Sequence, residues 1–251
     1  MSNDVETIST IGKTKYNMMK DEPIRFFLRS IMAGLYLGVA AILSYTLGAM
    51  LEGVAGKIAV AATFGIGLSA IIFLGAELFT GNCFTTIMPV YNRELKLKDI
   101  IPMWITCYIG NIIGIAFICA LYILSGSQSK ILEPYLRTVI EAKLSFDVIE
   151  LFVRAILCNF VVCMAAYSGI KIKGETTKFY MIMLLVMAFV LPGFEHCVAN
   201  TGIFSMGLTL LNISINWSAL PLHMLISTLG NIIGGSLLLA LPVYYIFKLK
   251  K

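Results

Sequence analysis

His196 and Glu195 are the charged or basic groups of an otherwise uncharged 41-residue stretch, positions 179–219. An ionisable side chain in so apolar a setting is costly to keep and tends to serve function. A histidine with the ordinary pKa of about 6.5 can give or take a proton near neutrality, so His196 could contact a passing anion and exchange a proton with it. Glu77 is the lone charge of a second apolar stretch, positions 58–91. A carboxylate facing an anion path would repel the anion, and buried carboxylates are normally hydrogen-bonded or paired. Glu77 and Glu195 are therefore expected to accept from backbone N–H groups rather than to meet the anion. Asn82 and Asn200, each five residues beyond its glutamate, are expected to cap helices that resume there, whose positive N-terminal ends favour an anion. Asn159 aligns with Gly34 in the other half of the chain and is a further candidate donor to the anion.

Other chemistries lack their residues. There is no Ser/His/Asp or His-Glu-x-x-His arrangement, so no enzyme is expected, and the two histidines, His196 and His223, fall in unrelated settings unsuited to paired haem ligation. Six cysteines lie in apolar surroundings without a CxxC pair, which argues against disulfides and zinc. No cofactor is expected.

The elements that position these residues must lie in a bilayer. Hydrophobic residues fill 59% of 251 positions and charged residues only 13%, against about a quarter charged in soluble domains. The mean hydropathy is +0.88. Residues 26–50, 100–126, 148–170 and 219–247 each suit one crossing of about 20 residues. The stretches 58–91 and 179–219 would run to roughly 50 and 60 Å as straight helices, too long for a core of about 30 Å. Each also carries breakers mid-way: Gly75, Gly81 and Asn82 in one, Pro192, Gly193, Asn200 and Gly202 in the other. Non-helical backbone at that depth is tolerated only inside protein or beside a water-filled cavity, so the two broken spans point to a pathway.

With the termini inside, cytoplasmic segments hold fourteen Lys or Arg, including Lys13, Lys15, Lys20, Lys248, Lys250 and Lys251, and outer loops hold four, Lys57, Lys130, Arg137 and Lys143. By the positive-inside rule both termini are cytoplasmic, and the net charge of +5 needs no nucleic acid. The polar first 22 residues resemble no signal peptide, so the first span is expected to direct insertion. A cytoplasmic N-terminal segment, 1–25, thus precedes a six-span domain, 26–251, with halves 26–126 and 148–247. The halves repeat. Phe27-Leu28-Arg29-Ser30-Ile31 matches Phe152-Val153-Arg154-Ala155-Ile156; Gly75-x-Glu77-x4-Asn82 matches Gly193-x-Glu195-x4-Asn200; Gly110-Asn111-Ile112-Ile113-Gly114 recurs as Gly230-Asn231-Ile232-Ile233-Gly234. Three spans per half make the repeat inverted, which places a site at the discontinuous helices near the midplane. The Gly-x-x-x-Gly pairs read as close helix packing.

Gly75-Ala76-Glu77-Leu78-Phe79-Thr80 and Gly193-Phe194-Glu195-His196, with Ala199-Asn200 following, resemble the formate/nitrite transporter family. The match runs from about Arg25 to the end. The resemblance implies an all-α, aquaporin-like protomer, a homopentamer in the cell inner (plasma) membrane, and one pore for small monovalent anions per protomer. It implies that Phe64, Leu68 and Phe189 form apolar constrictions, that Leu78, Phe79 and Thr80 ride on a mobile loop, and that Lys143 is the lysine sixteen residues before the span-4 asparagine, Asn159. No Asn-Pro-Ala pair is present, which argues against a water or glycerol channel. Cys197 in place of a common serine, and Gly81-Asn82 after Thr80, fit the hydrosulfide-channel branch. Ordinary readings stand beside these: Lys143 as a solvated surface lysine, the aromatic constrictions as helix packing. A proton-coupled secondary transporter of the same anions is the alternative function. An imperfect apolar stripe of Ile8, Ile11, Tyr16 and Met19 suggests an amphipathic cytoplasmic helix.

Overall fold

A computed structural model describes residues 4–51, 53–127, 129–210 and 215–248; Lys250 and Lys251 of the basic count lie outside them. An amphipathic helix, α1 (Asp4–Asp21), precedes the first span, α2 (Pro23–Leu51). The second span is α3 (Gly53–Leu74), a break at 75–78, then the short α4 (Phe79–Thr85) and α5 (Met88–Tyr91). The third is α6 (Leu97–Leu124). The second half repeats the order: α7 (Ser129–Leu144) lies before the fourth span, α8 (Val148–Lys171), and the fifth is α9 (Glu175–Val190), a break at 191–196, and α10 (Cys197–Thr209). The sixth runs from a 3₁₀ turn (Trp217–Ala219) through α11 (Leu220–Ile233), a π segment (Gly234–Ala240) and α12 (Leu241–Phe247).

Among the described residues, five helical runs are long and apolar enough to cross a bilayer, and the interrupted α9–α10 pair supplies the sixth span of the fold. Helix ends reach past the hydropathy bounds, to Pro23 rather than 26, Gly53 rather than 58 and Glu175 rather than 179, because hydropathy marks the apolar slab whereas helices continue into the polar interface. The glycine pairs bring spans into backbone contact: a Cβ on Gly114 would stand 2.1 Å from the Ile31 carbonyl, and one on Gly234 2.2 Å from that of Ile156. Ile31 and Ile156 belong to the first repeated motif, so the two halves use one packing solution twice. The π segment has no counterpart signal in the sequence. Gly235 within it leaves room for Asn159, whose Nδ2 would lie 2.7 Å from a Cβ there.

α1 and α7 hold matching positions ahead of their halves but pack differently. α7 buries Leu132, Leu136 and Ile140 completely. α1 buries Val5, Ile8 and Gly12 and adds polar ties: Lys171 Nζ to Asp4 at 2.7 Å, Tyr167 Oη to Asp4, and Ser9 and Lys13 to Glu94.

Candidate functional site

Both breaks are built by one rule. A left-handed residue, Gly75 at φ 73° and Gly193 at φ 77°, stops the incoming helix at little steric cost. The next amide turns back to the helix, Ala76 N–H to Ile71 O (3.0 Å) and Phe194 N–H to Phe189 O (3.1 Å). Each glutamate amide then donates to a neighbouring span, Glu77 to Arg29 O (3.1 Å) and Glu195 to Arg154 O (3.4 Å). The remaining ends are joined by the asparagines of the two Gly-Asn-Ile-Ile-Gly motifs. Asn111 Nδ2 donates to Ser30 O (2.7 Å) and Glu77 O (2.9 Å), and its Oδ1 accepts from Phe79 N–H (2.9 Å). Asn231 Nδ2 donates to Ala155 O (2.8 Å) and Glu195 O (2.9 Å), and its Oδ1 accepts from Cys197 N–H (2.9 Å). Every polar atom of both amides is used, in buried positions, so each break is tied to two spans.

This corrects two expectations. Asn82 and Asn200 do not cap the resumed helices: Leu78 holds the N-cap of α4 without a side-chain bond, and His196 caps α10. The glutamates do not take freed backbone amides as their partners either: Glu195 accepts from Lys143, and Glu77 is ion-paired with Lys15. Lys143 Nζ, in the last turn of α7, reaches Glu195 Oε1 at 2.7 Å and Oε2 at 2.9 Å, and Asn200 Oδ1 at 3.1 Å. Its side chain is 14% exposed, so it is not a free surface lysine. The matching cluster on the opposite face uses Lys15 of α1, with Nζ 2.8 Å from Glu77 Oε2 and 2.8 Å from Asn82 Oδ1. The spacing argument missed Lys15 because its partners lie far along the chain; its place in the apolar-polar stripe of α1 was the only available hint. His223 was missed as well. It is 3% exposed, and its Nε2 lies 3.0 Å from Asn200 Nδ2 and 3.5 Å from Glu195 Oε2.

Between the clusters lies His196. Its Nδ1 accepts from Ala199 N–H at 3.1 Å, so in the neutral ring the proton sits on Nε2, which faces Thr80 Oγ1 at 3.0 Å. The imidazole donates to the Thr80 oxygen, and the Thr80 hydroxyl hydrogen is left for another acceptor. Phe189 stacks on the ring, with centroids 6.2 Å apart. Phe64, Leu68, Leu78, Phe189 and His196 line one enclosed space of about 10 Å³, the size of a single water at most. A much larger cavity of about 730 Å³, lined by Lys57, Lys143, Asn200, Phe64, Phe189 and His196 among others, lies on the α7 side. Phe64, Phe189 and His196 border both spaces and so form the partition.

Four expected site residues are placed otherwise. Phe79 opens α4 and packs between Trp104 and Tyr108, at centroid distances of 6.5 and 4.8 Å. Thr80 also belongs to α4 rather than to a loop, and Leu78 is the last residue of a break that Asn111 secures on either side. Asn159 is spent on backbone, donating from Nδ2 to Asn231 O (2.6 Å) and Thr80 O (3.2 Å). It positions Thr80 and has no amide hydrogen left for an anion.

A family model described as Formate/nitrite transporter matches residues 2–245. The nitrite transporter NirC of Salmonella typhimurium is 32% identical over 234 residues, covering 90% of this chain and 84% of that protein. The formate-nitrite transporter of Plasmodium falciparum is 29% identical over 244 residues, covering 90% and 78%. Among solved structures, an FNT family ion channel superposes with a TM-score of 0.92 at 28% identity, over 98% of this chain and 99% of that one. A pentameric formate channel with formate bound superposes with a TM-score of 0.78 at 22% identity, over 91% and 98%, and shares the fold.

Proposed function

The chain belongs to the formate/nitrite transporter family, and from that premise we propose that it is a channel for small monovalent anions of the hydrosulfide, formate or nitrite class. In this reading each protomer of a homopentamer carries one pore, the termini face the cytoplasm, and the protein resides in the cell inner membrane. The observation that carries the proposal is the His196 Nε2–H···Thr80 pair beside a chamber walled by apolar side chains. An anion stripped of water needs hydrogen-bond donors in place of its hydration shell, and here the Thr80 O–H, polarised by the imidazole N–H that donates to its oxygen, supplies one. Phe64, Leu68 and Phe189 gate the chamber by excluding water, with Leu78 as a side-chain contributor. Lys143 draws anions to the outer cavity and Lys15 does so at the cytoplasmic end, while each lysine also neutralises the glutamate that would otherwise repel them.

Reconstitution into liposomes, with flux measured for hydrosulfide, formate, nitrite and chloride across pH, tests this reading. Removing a hydrogen bond to a charged group costs about 1.5–3 kcal/mol, so His196→Asn should lower flux about ten- to hundredfold. Unchanged flux and unchanged pH dependence in that variant would sink the proposal. A reversal potential that follows the anion gradient alone identifies a channel; one that follows the proton gradient as well identifies the coupled transporter.

A further inference from the structure

Arg29 and Arg154 occupy the same position of the inverted repeat, and each guanidinium stands over the glycine of its break. A Cβ on Gly75 would lie 3.2 Å from Arg29 Nη2, and one on Gly193 3.2 Å from Arg154 Nη1. Their partners are unequal. Arg154 Nη1 donates to Gly193 O at 2.8 Å, while Nε and Nη2 donate to Glu150 Oε1 at 2.9 and 2.6 Å. The Phe146 ring lies beneath, its centroid 4.5 Å from Cζ. Arg29, by contrast, has a buried Nε without a hydrogen-bond partner among the described residues. Its Nη2 stands 3.8 Å from Glu77 Oε1, beyond hydrogen-bond reach. Two positions account for the difference. At the spacings where the second half has Glu150 and Phe146, the first half has Arg25 and Asp21, so a cation stands where Arg154 finds its anion.

A buried donor without an acceptor is costly, and the surface around Arg29 indicates what supplies one. Arg25, Leu28, Arg29 and Met32 share one face of α2 and, with Asp21 and Glu22, line a surface groove at the junction with α1. Leu28 is 55% exposed. From Arg29 to the end of α2 at Leu51 the helix runs roughly 33 Å, which sets Arg29 at the margin of a hydrocarbon core of about 30 Å, the level of the lipid headgroups. Basic pockets at that level bind phospholipid head groups, and a guanidinium fork matches a phosphate. The groove carries the opposite sign as well. Glu22 pairs with Arg25 at 2.9 Å, but Asp21, on the aqueous side of both arginines, has no ion pair among the described residues. An unmatched cation near the apolar stretch and an unmatched anion nearer water call for a ligand with phosphate inward and ammonium outward.

We propose that this groove binds a zwitterionic aminophospholipid of the phosphatidylethanolamine class. The phosphate sits between Arg25 and Arg29, where the Glu150 carboxylate sits beside Arg154; the ammonium donates to Asp21; an acyl chain runs over Leu28 and Met32. A choline headgroup has no N–H for Asp21, and a glycerol headgroup has no charge for it. The bound lipid braces the junction between α2 and the helix that carries Lys15.

The test uses the full-length protein in detergent, stripped of lipid and titrated with phosphatidylethanolamine, phosphatidylglycerol and phosphatidylcholine of identical acyl chains, with bound lipid counted by native mass spectrometry. One charge contact at the membrane surface changes binding about fivefold. Phosphatidylethanolamine should therefore bind about fivefold more tightly than either other lipid, and Asp21→Asn should erase that lead. Arg25→Glu, which gives Arg29 the neighbour that Arg154 has, should weaken phosphatidylethanolamine about twenty-five-fold, because it removes one cation from the phosphate and pairs off the other. Both substituted side chains are exposed, so the variants keep the fold. Equal binding of the three lipids, a lead for phosphatidylglycerol, or undiminished binding in Arg25→Glu overturns the proposal. So does soluble phosphoethanolamine that binds as tightly as the lipid, which would make this a site for a free solute. An oligomer that dissociates in Arg25→Glu with its lipid count unchanged would assign the groove to a second copy of the chain and overturn the proposal too. None of these readouts depends on conduction.

Discussion

Lys15 and Lys143 occupy matching places at opposite faces of the molecule, each between the carboxylate of a Gly-x-Glu segment and the side-chain oxygen of the asparagine five residues on. Their surroundings differ. Lys143 makes two contacts with Glu195 and one with Asn200, and His223 adds a fourth partner to that cluster. Lys15 meets Glu77 at 2.8 Å without hydrogen-bond alignment to that oxygen, and Arg29 stands 3.8 Å away as a second cation. The helices that carry the lysines differ as well. α7 is seated by three fully buried aliphatic side chains, whereas α1 depends to a large extent on ion pairs and hydrogen bonds at its edges. The inverted repeat thus conserves the coordination of the glutamate and leaves free how firmly each lysine is held.

The largest effect should come from removing the better-held lysine. Lys143→Met leaves Glu195 as an unpaired buried charge, which costs about 3–5 kcal/mol, and thermal unfolding in detergent should show it; adding Glu195→Gln should recover most of the loss without restoring anion access. Next come Asn111→Ala and Asn231→Ala. Each removes three buried hydrogen bonds, for about 3 kcal/mol, and the two should be nearly equal, since the amides are bonded alike. A twofold disparity in their effects would break the symmetric half of the comparison. Lys15→Met should cost less, about 1–3 kcal/mol, because Arg29 remains beside Glu77; equal losses for the two lysines would erase the distinction between the clusters.

The smallest effect concerns the seating of α1. Partial burial works against ionisation of Glu94, but Ser9, Lys13 and Asn92 together hold its carboxyl below the ordinary value of 4.5. A depressed carboxyl contributes stability that is present above the ordinary value and lost as pH falls through the lowered one. Hydrogen exchange in α1 should therefore quicken below about pH 4.5 and with added salt, while α7, seated by apolar contacts, should hold. Equal responses of the two helices would count against the contrast.

Much of this was legible in the sequence. The six spans follow from hydropathy and length, the breaks from Gly75 and Gly193 inside runs too long for one crossing, and the inversion from three collinear motifs. The formate/nitrite transporter resemblance agrees with the family match. What could not be read was which polar atom meets which. Gly-Asn-Ile-Ile-Gly looks like a packing motif because its glycines explain themselves, yet its asparagine does the work at a break some thirty residues away. Asn82 and Asn200 looked like caps because they follow the breaks; the N-cap positions are in fact Leu78 and His196, four residues earlier, and the asparagines point toward lysines. Lys15 and His223 lie outside every repeated motif, so neither symmetry nor spacing could flag them. Within the π segment Gly235 admits Asn159, a contact between two spans that no local pattern announces.

The two asparagine amides have a mechanical consequence. Asn111 joins α2, the first break and α4, and Asn231 joins α8, the second break and α10, so neither resumed half-helix can shift against those spans without shearing buried bonds. On the channel reading proposed above, widening of the 10 Å³ chamber would then be asked of the side chains of Phe64, Leu68, Leu78 and Phe189 and of the helices that carry them. Side-chain motions are in general smaller and faster than the microsecond-to-millisecond swing of domains. On that reading a conduit opened in this way would flicker instead of alternating.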